Sequence, residues 1–131
     1  MSGRVSTGRA TATSSAHAPI RLVEFPVLTD ALECASLGDA GYNFYNLRGE
    51  LAEALPYRTV RDEAKALAWK LAGRFERNAR VALVSETSPD FFRLFFACQY
   101  AGVIPAPIPL PVNLGGKDGY LTQVRLMARG A

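Results

Sequence analysis

The chain of 131 residues contains one histidine, two cysteines and no long hydrophobic run. The histidine, His17, lies in an N-terminal stretch rich in Ser, Thr, Ala and Gly, so the rest of the chain has no imidazole for acid–base chemistry. Cys34 and Cys98 are too few for a disulfide framework, and without a cysteine–histidine cluster no zinc site is expected. We expect both thiols to be buried or half-buried and reduced, in a cytoplasmic protein.

Charge and hydropathy argue against nucleic-acid binding and against a membrane span. The net charge is +3, and Arg4, Arg9 and Arg21 lie in or beside the N-terminal stretch. Beyond them the charge is nearly balanced, which is not the footprint of a nucleic-acid-binding protein. No apolar run approaches the roughly 20 residues that a span requires. The hydrophobic content of 49% and the charged content of 21% are typical of a globular domain.

Residues 1–20 are predicted to be a disordered tail, and residues 21–131 the folded part. The tail contains arginine but no acidic residue. A misplaced start codon would leave a similar stretch, and a transit peptide has the same composition, although no amphipathic face is visible. The tail has no apolar segment of the kind that a secretory signal needs.

The clearest structural pattern begins at Arg80. The apolar run Val81–Val84 predicts a buried strand. Ser88, Pro89 and Asp90 then provide an N-cap oxygen, a proline for the first helical position and an acid for the first turn, which together predict a helix start. Apolar residues continue to Tyr100, Gly102 stands where a left-handed C-terminal cap would fall, and a second strand is predicted at Val103–Ala106. This order predicts a βαβ unit with parallel strands.

The predicted helix between these strands is apolar on nearly all sides. Only Arg93 and Gln99 interrupt its apolar surface between Phe91 and Ala101. Such a helix must be covered from more than one side, and this chain offers little material to cover it. We therefore expect the sequence to be one piece of a larger structure.

The residues before the βαβ unit predict a helix, a hairpin and a second helix. A first helix is expected to begin with Thr29 as its cap and to end at Gly38. Residues 42–45 and 51–57 predict a β-hairpin that turns near Arg48-Gly49. Thr59–Asp62 resembles a capping box, and the helix that follows is expected to end near Gly73 or Phe75. Its apolar stripe comprises Val60, Ala64, Leu67, Leu71 and Phe75, with Arg61, Lys65 and Lys70 on a solvated face.

The residues after the second strand alternate proline with apolar side chains from Pro105 to Pro111. Such a run is expected to leave the sheet as extended chain after its first residues. It could instead be a ligand for a proline-binding domain, although its apolar flanks favour an ordered internal connection. A last helix is predicted over residues 118–128, with Tyr120, Leu121, Val124 and Met127 on one side.

No active site is recognisable from the residues themselves. The glycine-rich stretch Gly115–Gly119 could receive an anion on its backbone N–H groups, but it lacks the GxxxxGK[ST] pattern and reads more simply as a turn. The carboxylates of Asp62, Glu63, Glu86 and Asp90 are explained by caps and exposed faces. No nucleophile–base pair is visible, so no catalytic, cofactor-binding or metal-binding residue is assigned.

The chain resembles the beginning of an adenylate-forming enzyme, and within that superfamily the fatty acyl-AMP ligase branch. The matching segments are ALPYRTVRDEAKALAWKLAGRF and ARVALVSETSPDFFRLFFACQYAGVIPAPIPLPVNLGGKDGY. They follow the superfamily order of a strand ending in Tyr, a helix rich in Ala and Leu, an "RVAL" strand, an apolar helix and a proline-containing exit, here Tyr57, Ala64–Leu71, Arg80–Val84, Pro89–Gly102 and Pro105–Pro107. The continuation Pro109–Gly116, with Tyr120 in the next helix, favours the acyl-AMP ligase branch. The resemblance covers about residues 27–131.

This resemblance implies an incomplete α/β fold, namely the N-terminal part of the large domain. Enzymes of this branch activate a fatty acid with ATP and magnesium, release pyrophosphate, and pass the acyl group from the adenylate to a carrier protein or a polyketide synthase. The family's phosphate loop, aromatic-Thr-Glu motif, ribose-binding Asp and C-terminal lysine all lie downstream of the matched region. None occurs here, so the chain alone is expected to bind neither ATP nor magnesium and to be inactive.

Two other functions remain open from the sequence. One is a non-catalytic binding or interaction module that reuses the first lobe of the ligase fold; it would fold alone and dock a partner on the apolar helix. The other is an unrelated small α/β domain with a ligand at its strand ends. That alternative needs a tight phosphate turn after the first parallel strand, and Ser85–Ser88 contains no glycine there.

Overall fold

The computed structural model describes residues 24–110 and 116–130, which form helices and two small sheets. The predicted disordered tail at residues 1–20 lies outside the described residues. The elements in chain order are α1 (Leu28–Ala35), β1 (Gly41–Tyr45), β2 (Leu51–Pro56), α2 (Tyr57–Ala72), β3 (Arg80–Val84), α3 (Pro89–Tyr100), β4 (Ile104–Ile108) and α4 (Gly116–Gly130). This arrangement confirms the predicted α/β class, with a hairpin, a βαβ unit and flanking helices.

The βαβ unit has the predicted form. β3 and β4 pair in parallel, with Arg80 opposite Ile104 and Val84 opposite Ile108. Ser88 is the N-cap of α3, and its side chain accepts a hydrogen bond from the Phe91 N–H. Gly102 follows the helix with φ +73°, a left-handed conformation that glycine adopts without strain. The local signals at both ends of α3 therefore fix its boundaries.

The proline run stays in the sheet for longer than the sequence predicted. β4 extends through Pro105 and Pro107 to Ile108. The Ile104 N–H donates to the Ala79 carbonyl, and alternate residues of a strand direct their backbone groups to the same side. The nitrogens of Pro105 and Pro107 therefore face away from β3, so no hydrogen bond between the two strands is lost. The expectation of an early exit was wrong because it did not consider this register.

The predicted hairpin is confirmed, with β1 and β2 antiparallel from Gly41 opposite Pro56 to Tyr45 opposite Leu51. Asn46 organises the turn, because its side-chain oxygen accepts from the N–H groups of Arg48 and Glu50. Gly49 has φ +77° and supplies the left-handed residue that the turn requires.

Both predicted helix caps before the βαβ unit were wrong. α1 begins at Leu28 with Val27 as its N-cap, so Thr29 lies inside the helix. α2 begins at Tyr57 directly after β2, and Thr59 lies in its first turn. The Tyr57 N–H donates to the Ala40 carbonyl, so a distant backbone group satisfies the first helical donor and no side-chain cap is needed. Tyr57 is consequently helical and does not end the preceding strand. The predicted end of α2 near Gly73 is confirmed.

The main core lies between α1, the hairpin, α2 and α3. It consists of six buried apolar residues: Leu32, Leu55, Val60, Ala64, Phe96 and Ala97. A second small cluster, formed by Leu83, Cys98 and Val103, joins α3 to the sheet. Every residue of α3 from Phe91 to Tyr100 is buried or half-buried. The expectation that this chain could not cover its most apolar helix was therefore wrong.

The two cysteines occupy different environments. Both are free thiols; Cys98 is buried and Cys34 is exposed. The prediction of a buried or half-buried residue was thus right for Cys98 and wrong for Cys34, which lies on the outer side of α1. Burial raises the pKa of the Cys98 thiol, which keeps it neutral.

Candidate functional site

The first candidate site lies at the carboxyl ends of β3 and β4, where open parallel sheets usually bind ligands. An open cavity of about 270 Å³ is found there. It is lined by Ser85, Glu86, Thr87, Phe91, Pro107, Ile108 and Pro109. The strand ends and the start of α3 position these side chains.

The polar groups of this cavity bond mostly to their own loop. The Ser85 hydroxyl donates to the Glu86 carbonyl at 2.9 Å and lies 3.4 Å from the Ser88 hydroxyl. The Ser88 oxygen accepts from the Phe91 N–H at 3.3 Å. These bonds satisfy polar groups at the N-terminal end of α3. Among the described residues, no histidine, lysine or arginine lines the cavity to activate a hydroxyl or to hold a phosphate. The cavity therefore lies where a ligand would bind in such a sheet, but its described lining residues provide no catalytic group.

The contacts of Asp62, Glu63 and Asp90 agree with their predicted structural role. Arg93 on α3 contacts Glu63 of α2, Asp90 of its own helix and Glu53 of the hairpin, the last at 3.1 Å. The neighbouring acid Asp62 pairs with Arg61. Because a guanidinium occupies the space between three carboxylates, this cluster joins the elements together and does not form an acidic metal site.

A second polar cluster joins α1, α2 and α3 and was not foreseen from the sequence. The Tyr100 hydroxyl donates to Glu33 at 2.7 Å, and Lys65 forms an ion pair with the same carboxylate. The hydrogen bond from Lys65 lowers the pKa of Glu33, and the bond from Tyr100 acts in the same direction. Burial, and then the bond to Glu33, raises the pKa of Tyr100 well above its usual range, so this hydroxyl does not serve as a base.

Arg61 extends this cluster and corrects the prediction of a simply solvated face. Its guanidinium donates to the Ser36 hydroxyl at 2.7 Å, and only 22% of its side chain is exposed. Ser36 in turn donates to the Glu33 carbonyl. Arg61 and Ser36 lie 25 residues apart, so no local sequence pattern could have revealed this contact.

The described residues contain neither a metal-binding group of side chains nor a helix that could span a membrane. Within residues 24–110 and 116–130, no three His, Cys, Asp or Glu side chains are grouped so that they could hold a metal ion. In the same part of the chain, no helix has the length and hydropathy needed to cross a membrane.

The glycine-rich stretch Gly115–Gly119 does not form the predicted turn within the described residues. Residue 115 lies outside them, and Gly116–Gly119 form the beginning of α4. The predicted apolar side of this helix is only partly covered: Tyr120 and Val124 are half-buried, whereas Leu121 and Met127 are exposed.

Comparison with curated proteins finds two informative relatives, although no family model matches the chain. A Caulobacter vibrioides protein, whose name proposes that it is an acyl-CoA synthetase, is 51% identical over 113 residues. The match covers 86% of this chain and 20% of that protein. The medium-chain-fatty-acid–[acyl-carrier-protein] ligase JamA of Moorena producens is 33% identical over 96 residues, with 70% and 16% covered. The chain thus spans about a fifth of these relatives or less.

Solved structures give the same result for the fold. A structure from a study of fatty acyl-adenylate ligases of E. coli and L. pneumophila superposes with a TM-score of 0.79 and 39% identity. The superposition covers 85% of this chain and 20% of that chain. The fatty acid AMP ligase of Legionella pneumophila gives a TM-score of 0.62 at 26% identity, with 76% and 17% covered. By sequence and by fold, the chain matches about one fifth of adenylate-forming enzymes of the fatty acyl-AMP ligase type.

Proposed function

We propose that the chain is the N-terminal part of a fatty acyl-AMP ligase, an enzyme that converts a fatty acid and ATP to an acyl adenylate and pyrophosphate. One observation carries the proposal: the 51% identity to a much longer relative coincides with a TM-score of 0.79 to a fatty acyl-adenylate ligase. The role of this part is structural. It supplies the parallel strand pair and the packed helices against which the rest of such an enzyme would fold.

The chain alone is proposed to be inactive. The cavity at the ends of β3 and β4 contains hydroxyls and one carboxylate, and within the part of the chain that the structure describes no cation lines it to bind phosphate. The nucleotide-binding motifs implied by the resemblance are not found in the sequence. ATP and magnesium would therefore be bound by residues of the longer enzyme, and a reducing cytoplasm fits the two free thiols.

The acceptor of the acyl group is proposed to be a carrier protein or a polyketide synthase. The name of JamA, which states an acyl-carrier-protein ligase, supports this acceptor. The name of the Caulobacter protein points to coenzyme A instead. The continuation of the proline run into Pro109 and Gly116, which is typical of acyl-AMP ligases, favours the carrier protein.

A chimeric enzyme tests the proposal. The 113-residue segment of the Caulobacter protein that matches this chain is replaced by the corresponding residues, and fatty-acid-dependent ATP–pyrophosphate exchange is measured. We expect exchange within about tenfold of the parent, because half of the segment is identical and its role is structural. A soluble chimera without exchange, beside an active parent, contradicts the proposal. Exchange by the purified 131-residue chain contradicts the claim that it is inactive alone.

A non-catalytic interaction module is the second candidate function: the packing of α3 supports its independent folding, but it covers the helix on which the partner was expected to dock. Because every residue from Phe91 to Tyr100 is at least half-buried within the described residues, the chain has the core that independent folding requires. This candidate predicts that the chain acts at its present length and that the chimera is not needed for its activity.

A further inference from the structure

The only tryptophan of the chain lies on the outer face of α2. Trp69 is 83% exposed, although tryptophan is usually buried over most of its surface. The opposite face of the helix is fixed in the core by Val60, Ala64 and Ala68, so α2 cannot rotate to bury the indole. Phe75, just beyond the end of the helix, is also 39% exposed. The outer side of α2 thus presents an indole side chain to solvent from a rigid element.

An open groove with an apolar floor and a basic rim begins at this tryptophan. Its volume is about 520 Å³, and it is lined by Leu67, Trp69, Lys70, Leu71, Gly73, Arg74 and Leu94. The half-buried leucines form the floor, and the exposed Lys70 and Arg74 stand on the rim. No carboxylate lines the groove, and neither cation forms an ion pair with a described residue. The groove is therefore complementary to a binding partner that has both apolar and negatively charged groups.

We propose that this face of α2 binds the surface of an anionic lipid bilayer. Tryptophan favours the membrane–water interface, where its ring is apolar and its N–H is hydrated, and each nearby Lys or Arg adds attraction to anionic headgroups. A protruding indole fits a flat, deformable surface better than a closed ligand pocket. The chain lies on the membrane and does not cross it. This inference goes beyond the proposed ligase activity, and it requires that this face of α2 stays exposed in the longer protein.

The position of Trp69 provides a direct test, because its fluorescence reports from the proposed contact alone. The 131-residue chain is titrated with vesicles of phosphatidylcholine containing phosphatidylglycerol, and with vesicles of phosphatidylcholine only. We expect a blue shift of the emission with the anionic vesicles, a much smaller one with the neutral vesicles, and weakening as salt is raised. No shift with the anionic vesicles, or equal shifts with both, overturns the proposal.

Charge variants locate the contact. Lys70→Gln combined with Arg74→Gln is expected to weaken binding to the anionic vesicles about 25-fold, because each cation contributes about fivefold. The matched pair is Lys70→Gln alone and Arg58→Gln, because each removes one charge from the same helix and Arg58 lies about 18 Å nearer its N-terminus. Lys70→Gln should weaken binding about fivefold, and Arg58→Gln less than twofold. Equal losses from these two single changes would show that only net charge matters and would overturn the proposed surface.

Two further experiments distinguish membrane binding from binding of other partners. Trp69→Ala, followed by vesicle sedimentation, should weaken binding at least tenfold while the circular dichroism spectrum stays unchanged, because the side chain is mostly exposed. Unchanged sedimentation of this variant contradicts the proposal. A monomeric fatty acid, added below its micellar concentration, should not shift the emission. A saturable shift with the monomer, without vesicle binding, would assign the groove to a free amphiphile and overturn the bilayer.

Discussion

The two packed regions of this chain differ in how completely they are covered. Around the hairpin, α2 and α3, the core residues Leu55, Val60 and Phe96 are at most 5% exposed, and Arg93 closes the surface with three carboxylates. In the β3–β4 sheet, one face packs on α3, whereas Val84 and Ile104 on the strands are 45% and 46% exposed. The core of the first region is packed like the interior of a complete domain. The sheet is packed mainly on the face that contacts α3.

This difference explains why the chain has both a well-covered core and an incompletely covered sheet. A nearly continuous apolar strand such as Val81–Val84 is typical of a parallel sheet covered on both faces. The described residues cover one face, whereas on the other face Val84 and Ile104 remain nearly half exposed, although Ile108 beside Val84 is buried. The proposal that the chain is about one fifth of a ligase provides a covering layer for the sheet and for the hairpin residues Tyr45 and Leu51, which are 62% and 55% exposed. The core between α2 and α3 needs no such layer.

The largest effect is expected from Phe96, at the centre of the covered region. Phe96→Ala should lower the free energy of unfolding by about 3–5 kcal/mol, because a 5% exposed aromatic side chain is replaced by a cavity. Urea denaturation of the 131-residue chain measures this change. Phe75→Ala, at a 39% exposed site, is the control and should cost below about 1 kcal/mol. Similar losses at both sites would mean that the core is not packed as described.

The next effect concerns the Arg93 cluster that closes this region. Arg93→Met keeps the length of the side chain and removes its contacts to Glu53, Glu63 and Asp90, which should cost about 1–2 kcal/mol because the carboxylates are partly exposed and screened. Arg58→Met removes one exposed pair with Asp39 at 3.8 Å and should cost about 0–0.5 kcal/mol. A loss at Arg93 no larger than that at Arg58, in urea denaturation, would contradict the proposed closure.

A smaller, pH-dependent effect is expected from Tyr100. Because the pKa of Tyr100 is raised, the folded chain holds the phenol proton more tightly than the unfolded chain. The contribution of Tyr100 to the free energy of unfolding is therefore complete below pH 10 and declines as the pH rises above it. Tyr100→Phe should cost about 0.5–1.5 kcal/mol at neutral pH through the lost bond to Glu33, and its stability should fall less steeply above pH 10. Tyr42, whose pKa burial also raises, leaves a residual slope. Denaturation curves at pH 7 and above pH 10 compare the two proteins, and equal alkaline slopes would contradict the assignment.

The smallest effect within the chain should become a large one in the longer protein. Val84→Arg places a charge on the exposed face of β3 and should change the stability of the 131-residue chain by below about 1 kcal/mol. In the Caulobacter chimera, the same change should abolish folding or lower exchange activity at least tenfold, because a covered site would bury an unpaired charge. Leu47→Arg, at the exposed hairpin turn, is the control and should be neutral in both. A neutral Val84→Arg in the chimera would mean that the sheet face is not covered.

The parts of the fold that the sequence predicted are those with local signals. Ser88, Pro89 and Gly102 mark the ends of α3, and the apolar runs beside it predict both parallel strands. The failures involve partners that are distant along the chain. Thr59 has the sequence of a cap, but the Ala40 carbonyl bonds to Tyr57 and starts α2 earlier. The extension of β4 through its two prolines could not be predicted without the register of β3 and β4.

The polar clusters could not be predicted for the same reason. Glu33 and Tyr100 are 67 residues apart and meet only when α1 and α3 pack together. Arg93 and Glu53 lie 40 residues apart and on different elements. By contrast, the prediction that the chain carries no catalytic residue depends on residue types and motifs, and it stays a prediction.

The most direct test of the central claim is the mass of the polypeptide in the cell. An antibody against residues 74–80, a segment that is mostly exposed in this structure, would capture it for mass spectrometry after denaturation. The account predicts a species several times heavier than 14.2 kDa, since the matched relatives are about five times as long as the segment they share with the chain. A species of 14.2 kDa alone would contradict it and would favour the interaction module.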